Sequence, residues 1–293
     1  VKQLSAGGFS IVYLAQDEND KPVAIKEYLP NSLALRQDGD KVVATTPEKM
    51  ATFKFGLKCF FDEGKTLAHI QHPNVVRVLN FFRANETVYM VMEYERGRTL
   101  QREIQLHGSV REDIIRHVFY HMLNGLREVH LHKLLHLDIK PANIYIRRDS
   151  SPVLLDFGSA RQTLTSEIKR FTPMYTPGFA APEQYKGREN LGPWTDIYSV
   201  GASIFACMAG FAPQAADARL EDDRLVSAKK LWGGKYSNEL LEIVDWCLQM
   251  NYLDRPQSVH SLQKALSPKV PEIPPKASML DNLKKSLARI RMR

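Results

Sequence analysis

Asp138, Lys140, Asn143 and Asp156 fall within one stretch, HLDIKPANIYIRRDSSPVLLDFG, running from His136 to Gly158. Two carboxylates, an amide and a lysine at these spacings suit one kind of reaction. A carboxylate at Asp138 can orient a hydroxyl and accept its proton, and the Lys140 ammonium can steady a transferring phosphoryl group. Asn143 and Asp156 offer the hard oxygen ligands that Mg²⁺ prefers, with Mn²⁺ as a substitute. The order H-x-D-x-K-P-x-x-N, then a short apolar strand, then Asp-Phe-Gly, must be met at many positions together, so the pattern is specific.

Groups of this kind act only when rigid elements hold them. Ile114, Ile115, Val118, Met122, Leu126 and Val129 recur at helical spacing between Asp113 and His130, which predicts an amphipathic helix packed deep beside the stretch. Upstream, LSAGGFSIVYL from Leu4 to Leu14 reads as two alternating strands about a glycine turn. Val23-Ala24-Ile25-Lys26 puts a lysine at the end of an apolar strand. Phe60, Glu63, Leu67 and Ile70 follow helical spacing up to His72-Pro73-Asn74, and Val75 to Phe82 and Val88 to Glu93 read as paired strands around Ala84-Asn85-Glu86. Alone, the glycine turn reads equally well as a plain hairpin, and Lys26 as a solvated lysine. His107, His117, His121, His130, His132 and His136 crowd one region, but helix and core histidines are commonplace and oxygen-bound Mg²⁺ suits this chemistry better than a histidine-bound metal.

In order and together, these motifs resemble eukaryotic-like (Hanks-type) serine/threonine protein kinases, most closely their bacterial members, over about residues 1 to 267. The resemblance implies an α+β, bilobal protein-kinase fold. Residues 1–95 would form a small antiparallel β-sheet lobe of five strands with helix C, carrying an insertion at about 27–58, and residues 96–267 a larger, mainly helical lobe. Mg-ATP would lie between them, its phosphates covered by Gly7, Gly8 and Phe9, with Val12 and Ala24 beside the nucleotide. Lys26, paired with Glu63, would contact the α- and β-phosphates. Met92 would guard the back of the adenine pocket, and Glu93, Tyr94 and Glu95 would form the hinge whose backbone bonds adenine. Asp138 would orient the acceptor hydroxyl, Lys140 would assist transfer, and Asn143 and Asp156 would hold the metal. Phosphate would pass to Ser or Thr of a protein, an acceptor class suggested by Lys140-Pro141 and Thr176-Pro177-Gly178-Phe179.

Departures from the family pattern carry information too. Aligned on Val12, its three loop glycines fall on Ser5, Gly7 and Ser10. Leu137 stands where the family usually has arginine, and leucine has no donor with which to receive a phosphorylated activation-segment residue. That segment would run from Ser159 to Glu183, with Thr163, Thr165, Ser166, Thr172 and Thr176 as candidate phosphorylation hydroxyls. Arg255 would pair with Glu183 of Ala181-Pro182-Glu183, His136 would pack against Phe157, and Asp196 would cap backbone N–H groups near the catalytic loop. Between Lys26 and Glu63 the chain is longer than such a lobe needs, and Gln37-Asp38-Gly39-Asp40 with Val42-Val43 predicts a small hairpin leading into an extended helix.

A chain of 293 residues, 44% hydrophobic and 25% charged, is globular in composition. Its formal net charge of +7 is spread among 33 acidic residues, which argues against nucleic-acid binding as the main function. Three widely spaced cysteines, Cys59, Cys207 and Cys247, fit a reduced, cytoplasmic compartment. The chain opens at Val1 inside a strand, as a fragment of a longer protein would, and tethering to an inner membrane would rest on segments outside it. After Leu266 a proline-rich linker leads to a basic amphipathic helix with Leu280, Leu283, Leu287 and Ile290 on one face. Beside the bland reading of a solvated helix, docking of that stripe on the lobes is expected ahead of contact with an anionic membrane. Two rival functions remain: a catalytically dead binding scaffold, favoured only by Ser5 and Ser10, and a kinase of small molecules, which shares the H-x-D-x-x-x-x-N frame.

Overall fold

The structure, a computed structural model, describes residues 1–37, 39–157, 175–186 and 189–267. The candidate phosphorylation sites Thr163, Thr165, Ser166 and Thr172, together with Asp38, Gly158 and the helix expected in 268–293, lie outside the described residues. The small lobe is a five-stranded antiparallel sheet in the order β1-β2-β3-β7-β6. Its strands are β1 (Lys2–Ala6), β2 (Ser10–Gln16), β3 (Pro22–Tyr28), β6 (Val78–Ala84) and β7 (Thr87–Glu93). In β3 the side chains alternate between two faces, so Lys26 and Glu27 point apart. Tyr28 turns back against α1 (Pro47–Leu67), its ring 5.6 Å from both Phe53 and Phe60. Helix α1 starts with Pro47 in its first turn, where a missing N–H costs nothing, and Glu48 there meets the positive end of the helix dipole. Its buried stripe includes Phe53, Phe60, Glu63 and Leu67.

The long connection between β3 and α1 folds into a second, two-stranded sheet, β4 (Ala34–Arg36) with β5 (Val42–Ala44). A buried charge fastens it to the lobe. Glu27 is fully buried and accepts from the hydroxyls of Tyr13 at 2.8 Å and Tyr89 at 2.7 Å, while the Arg36 guanidinium closes on the same carboxylate. Burial, and then the neighbouring Glu27 carboxylate, push the Tyr13 hydroxyl up to about 12. The stretch just after β3 also holds the tip of the glycine turn, where Leu29 N–H bonds the Phe9 carbonyl at 2.9 Å and Asn31 N–H bonds the Gly8 carbonyl at 3.0 Å.

The large lobe is built on α3 (Glu112–Leu131) and α4 (Pro193–Ala209). Phe119, Met122, Leu123 and Leu126 of α3 are fully buried, and α4 buries Ile197, Val200 and Ile204 among many others. Around them pack α2 (Leu100–His107), α5 (Ala216–Glu221), α6 (Ala228–Trp232), α7 (Asn238–Cys247) and α8 (Val259–Leu266). A three-stranded sheet of β10 (Pro152–Leu154), β9 (Ile144–Arg147) and β8 (Gly97–Thr99) faces the cleft side and frames the catalytic loop.

One expected strand is shorter than its sequence suggests. Val75 and Val76 do not join β6 but pair with the large lobe, where Val76 N–H bonds the Leu154 carbonyl at 3.0 Å and Leu154 N–H bonds the Asn74 carbonyl at 2.9 Å, while the Arg77 carbonyl already accepts the Glu93 N–H of β7 at 2.9 Å. The apolar run therefore serves two sheets, which a pattern of hydrophobicity alone does not distinguish. Asn74 is further fixed by its side-chain bond to the Pro152 carbonyl at 2.7 Å. Helix α3 approaches this turn so closely that a Cβ on Gly125 would lie 2.6 Å from the Asn74 carbonyl oxygen.

Candidate active site

Between the lobes lies a cleft of about 520 Å³. Gly7, Gly8, Phe9, Val12, Ala24 and Lys26 form its roof, and Met92, Glu93, Tyr94 and Glu95 its inner edge. Lys140, Asn143 and Asp156 reach it from below, so the whole expected nucleotide-binding set converges on one space. Leu155 and Tyr145, which the sequence did not single out, complete the apolar floor; their only signal was membership of short apolar runs. The Glu95 side chain is occupied by Arg147, whose Nε donates to it at 2.7 Å, and Arg147 also reaches the Pro73 carbonyl at 2.7 Å. That residue thereby links the edge of the cleft to the turn after α1.

Lys26 is only 7% exposed, and its ammonium lies 2.8 Å from Asp156 Oδ1. The expected partner was Glu63; the salt bridge is to Asp156 instead. Glu63 is buried on α1 one turn beyond Phe60, whose ring carries the same ammonium 5.7 Å from its centroid. Asp156 reaches Lys26 because its backbone takes φ +52°, a left-handed conformation that Asp tolerates better than most residues.

Asp138 sits in a dense polar cluster. Lys140 Nζ donates to its two carboxylate oxygens at 3.1 and 3.0 Å, and Asn143 Nδ2 donates to Oδ2 at 2.9 Å and to the Asp138 carbonyl at 2.9 Å. The Thr176 hydroxyl donates to Asp138 Oδ1 at 3.0 Å and accepts from Lys140 at 2.8 Å. Thr176, read in the sequence as part of the substrate-facing stretch, thus binds the catalytic loop directly. With its NH₂ directed to Asp138 and, at 3.4 Å, to the Asp156 backbone carbonyl, the Asn143 amide keeps its oxygen as a hard donor in the cleft that Asp156 also lines. One amide and one carboxylate lining the same cleft suit a divalent cation that completes its shell with water and phosphate oxygens.

The loop is held by buried partners. Asp196, fully buried, accepts from the N–H of His136 at 2.9 Å and of Leu137 at 2.8 Å, and bonds His130 Nε2 at 2.8 Å. Burial pushes the Asp196 carboxyl up, but the His130 bond and charge, with the backbone N–H bonds, hold it below the usual carboxylate range. His136 stacks on Phe157 with ring centroids 4.4 Å apart, as expected. Burial drives its pKa down, so the ring is neutral; Nε2–H donates to the Leu155 carbonyl at 2.9 Å and Nδ1 accepts the Asp138 N–H at 3.3 Å. Farther down, Arg255 grips Glu183 with two bonds of 2.8 and 3.0 Å, both residues buried, and Thr195 donates to the same carboxylate at 2.8 Å. Gln184, beside it, bridges to the catalytic loop and was not identified from sequence.

A glycine-roofed cleft between a β-sheet lobe and a helical lobe, floored by a carboxylate, amide and lysine loop, defines a protein-kinase fold. Residues 1–267 match the family described as Protein kinase domain, and the chain belongs to that family. It is similar to Serine/threonine-protein kinase B of Synechocystis sp., 28% identical over 225 residues that cover 73% of this chain and 38% of the relative. Serine/threonine-protein kinase PknA of Nostoc sp. is 26% identical, over 94% of this chain and 48% of its own length. CBL-interacting protein kinase 33 of Oryza sativa is 29% identical, over 84% of this chain and 48% of its own. The chain thus spans about half or less of these curated relatives. The solved structure described as PpkA-294 apo form superposes with a TM-score of 0.82 at 35% identity, covering 91% of this chain and 94% of that one.

Proposed function

We propose that this chain transfers the γ-phosphoryl group of Mg-ATP to Ser or Thr hydroxyls of protein substrates, in bacterial signalling. The observation that carries this reading is the convergence of Lys26, Lys140, Asn143 and Asp156 on one cleft, with Asp138 bonded to both Lys140 and Asn143. Asp138 would orient the acceptor hydroxyl and take its proton, while Lys140, already on that carboxylate, would lie beside the transferring group. Thr176 would mark the acceptor position, its own hydroxyl occupying a hydrogen-bonding place on Asp138. Lys26 would hold the α- and β-phosphates. Asn143 and Asp156 would hold Mg²⁺, which when bound neutralises phosphate charge. Little covalent chemistry is asked of the protein; positioning and charge do the catalysis.

Among the described residues no helix is long and apolar enough to cross a membrane. Cytoplasmic location is part of the proposal, supported by the wide spacing of Cys59, Cys207 and Cys247 in the sequence. Nucleic acid is not a proposed partner, and membrane contact by residues 268–293 is not favoured. The domain division proposed is a small lobe to residue 95, a large lobe to residue 267 and an appended tail. Incubation with labelled Mg-ATP and a generic protein acceptor tests the function, with label expected on Ser or Thr. Label on small molecules alone would point to the other kinase class, and no label to a binding scaffold.

A further inference from the structure

Besides the Thr176 hydroxyl, an amide links the catalytic loop to the segment entering the large lobe. Gln184 lies in the short turn Pro182–Tyr185 and is 2% exposed. Its Oε1 accepts the Ala181 N–H at 2.8 Å, which fixes the orientation of the amide, and its Nε2 donates to the Leu137 carbonyl at 3.1 Å. That carbonyl and the Asp138 N–H belong to the same peptide group, and the N–H bonds Nδ1 of the neutral His136 at 3.3 Å. The peptide plane immediately before Asp138 is therefore held at both polar ends. Leu137 needs such restraint, because it takes φ +62°, a region disfavoured for a branched side chain, and its own N–H is bound by Asp196. The turn bearing Gln184 is itself rigid: Glu183 is clamped by Arg255, and the Tyr175 hydroxyl bonds the Gln184 carbonyl.

We propose that Gln184 is a positioning residue, whose donated hydrogen bond sets the peptide plane that aims the Asp138 carboxylate at the acceptor hydroxyl. Leu137 offers no guanidinium through which a phosphorylated segment could act on the loop. The amide bridge supplies that connection without a phosphate, so alignment is built in permanently. The inference rests on the reading of Asp138 as the group that orients the hydroxyl.

Three variants test it in steady-state phosphorylation of a peptide acceptor. Gln184→Leu removes the bridge and is expected to lower kcat by about 10- to 100-fold, the scale of a misaimed catalytic group, with KM for ATP and peptide within about twofold. Gln184→Glu keeps the acceptor for Ala181 N–H but donates to Leu137 only when its carboxyl is protonated. Its kcat relative to the parent is expected to rise as pH is lowered from about 8 to about 6. His136, Asp138, Lys140 and Asp196 surround the loop in both proteins, so the ratio isolates the new carboxyl. Parent-like kcat in Gln184→Leu overturns the proposal, as does a pH-independent ratio in Gln184→Glu with kcat and melting temperature falling together. Asp138→Asn serves as the separate control: if it retains parent turnover, the role of Asp138 is wrong, whatever Gln184 does.

Discussion

Lys26 and Asp156 each place a charge in the cleft where phosphate and metal would meet, 2.8 Å apart. Lys26→Met and Asp156→Asn are each expected to remove most phosphoryl transfer at saturating Mg-ATP while circular dichroism stays that of the parent. Retained turnover in both would disprove the assignment. Leu137 carries a second expectation. A phosphate in the activation segment would meet no charged donor there, and such hydrogen bonds contribute about 1.5 to 3 kcal/mol each. Enzyme treated with phosphatase should therefore match autophosphorylated enzyme on the same substrate. Activity that vanishes on dephosphorylation, and does so equally in Leu137→Arg, would contradict this.

The β4–β5 hairpin depends on one buried carboxylate. Glu27 has no solvent contact, and its charge is balanced by the partly exposed Arg36 and by two tyrosine hydroxyls. Arg36→Ala leaves that carboxylate with neutral donors alone, and we expect a loss of about 1 to 3 kcal/mol, moderated by the solvent reaching Arg36. Adding Glu27→Gln should return part of it, since the amide oxygen still accepts while the buried charge is gone. Urea denaturation of the single and double variants measures both; a double variant no more stable than Arg36→Ala would show that charge is not the issue. Because the stretch following β3 also binds the Gly8 and Phe9 carbonyls, this connection bears on how the roof of the cleft is held.

Across the whole molecule, buried titratable groups set an acid limit on stability. Burial lowers the folded pKa of His136, and His72 and His121 shift the same way for the same leading cause. Above about pH 6.5 these rings are neutral both folded and unfolded, and stability is full. As pH falls through that value toward the lower folded pKa, the unfolded chain takes protons that the fold refuses, so stability drops. Asp196, held low in the fold, adds a further loss as pH falls below about 3.9. Melting temperature is expected to decline from about pH 7 to about pH 5, less steeply in His136→Gln. Equal slopes in the two proteins would show that His136 does not refuse the proton.

Much of this was legible along the chain because the chemistry is local in sequence: Asp138, Lys140 and Asn143 occupy one loop, and Asp156 follows one hairpin later. Periodicity gave α3 and the strands of the small lobe for the same reason, since each pattern needs only neighbours a few positions apart. The Arg255–Glu183 clamp and the Asp196 cap came from family order, and the structure bears both out. What tertiary structure decided is choice among partners distant in sequence. Lys26 had two candidate carboxylates, the buried Glu63 and the partly exposed Asp156, and its salt bridge is to Asp156, whose backbone is left-handed there. Val75 and Val76 read as strand but pair across the lobes, and Gln184 gave no signal because an amide's value lies in the two backbone groups it happens to face. Hydrogen-bond geometry is a property of close approach in space, and spacing along a chain does not encode it.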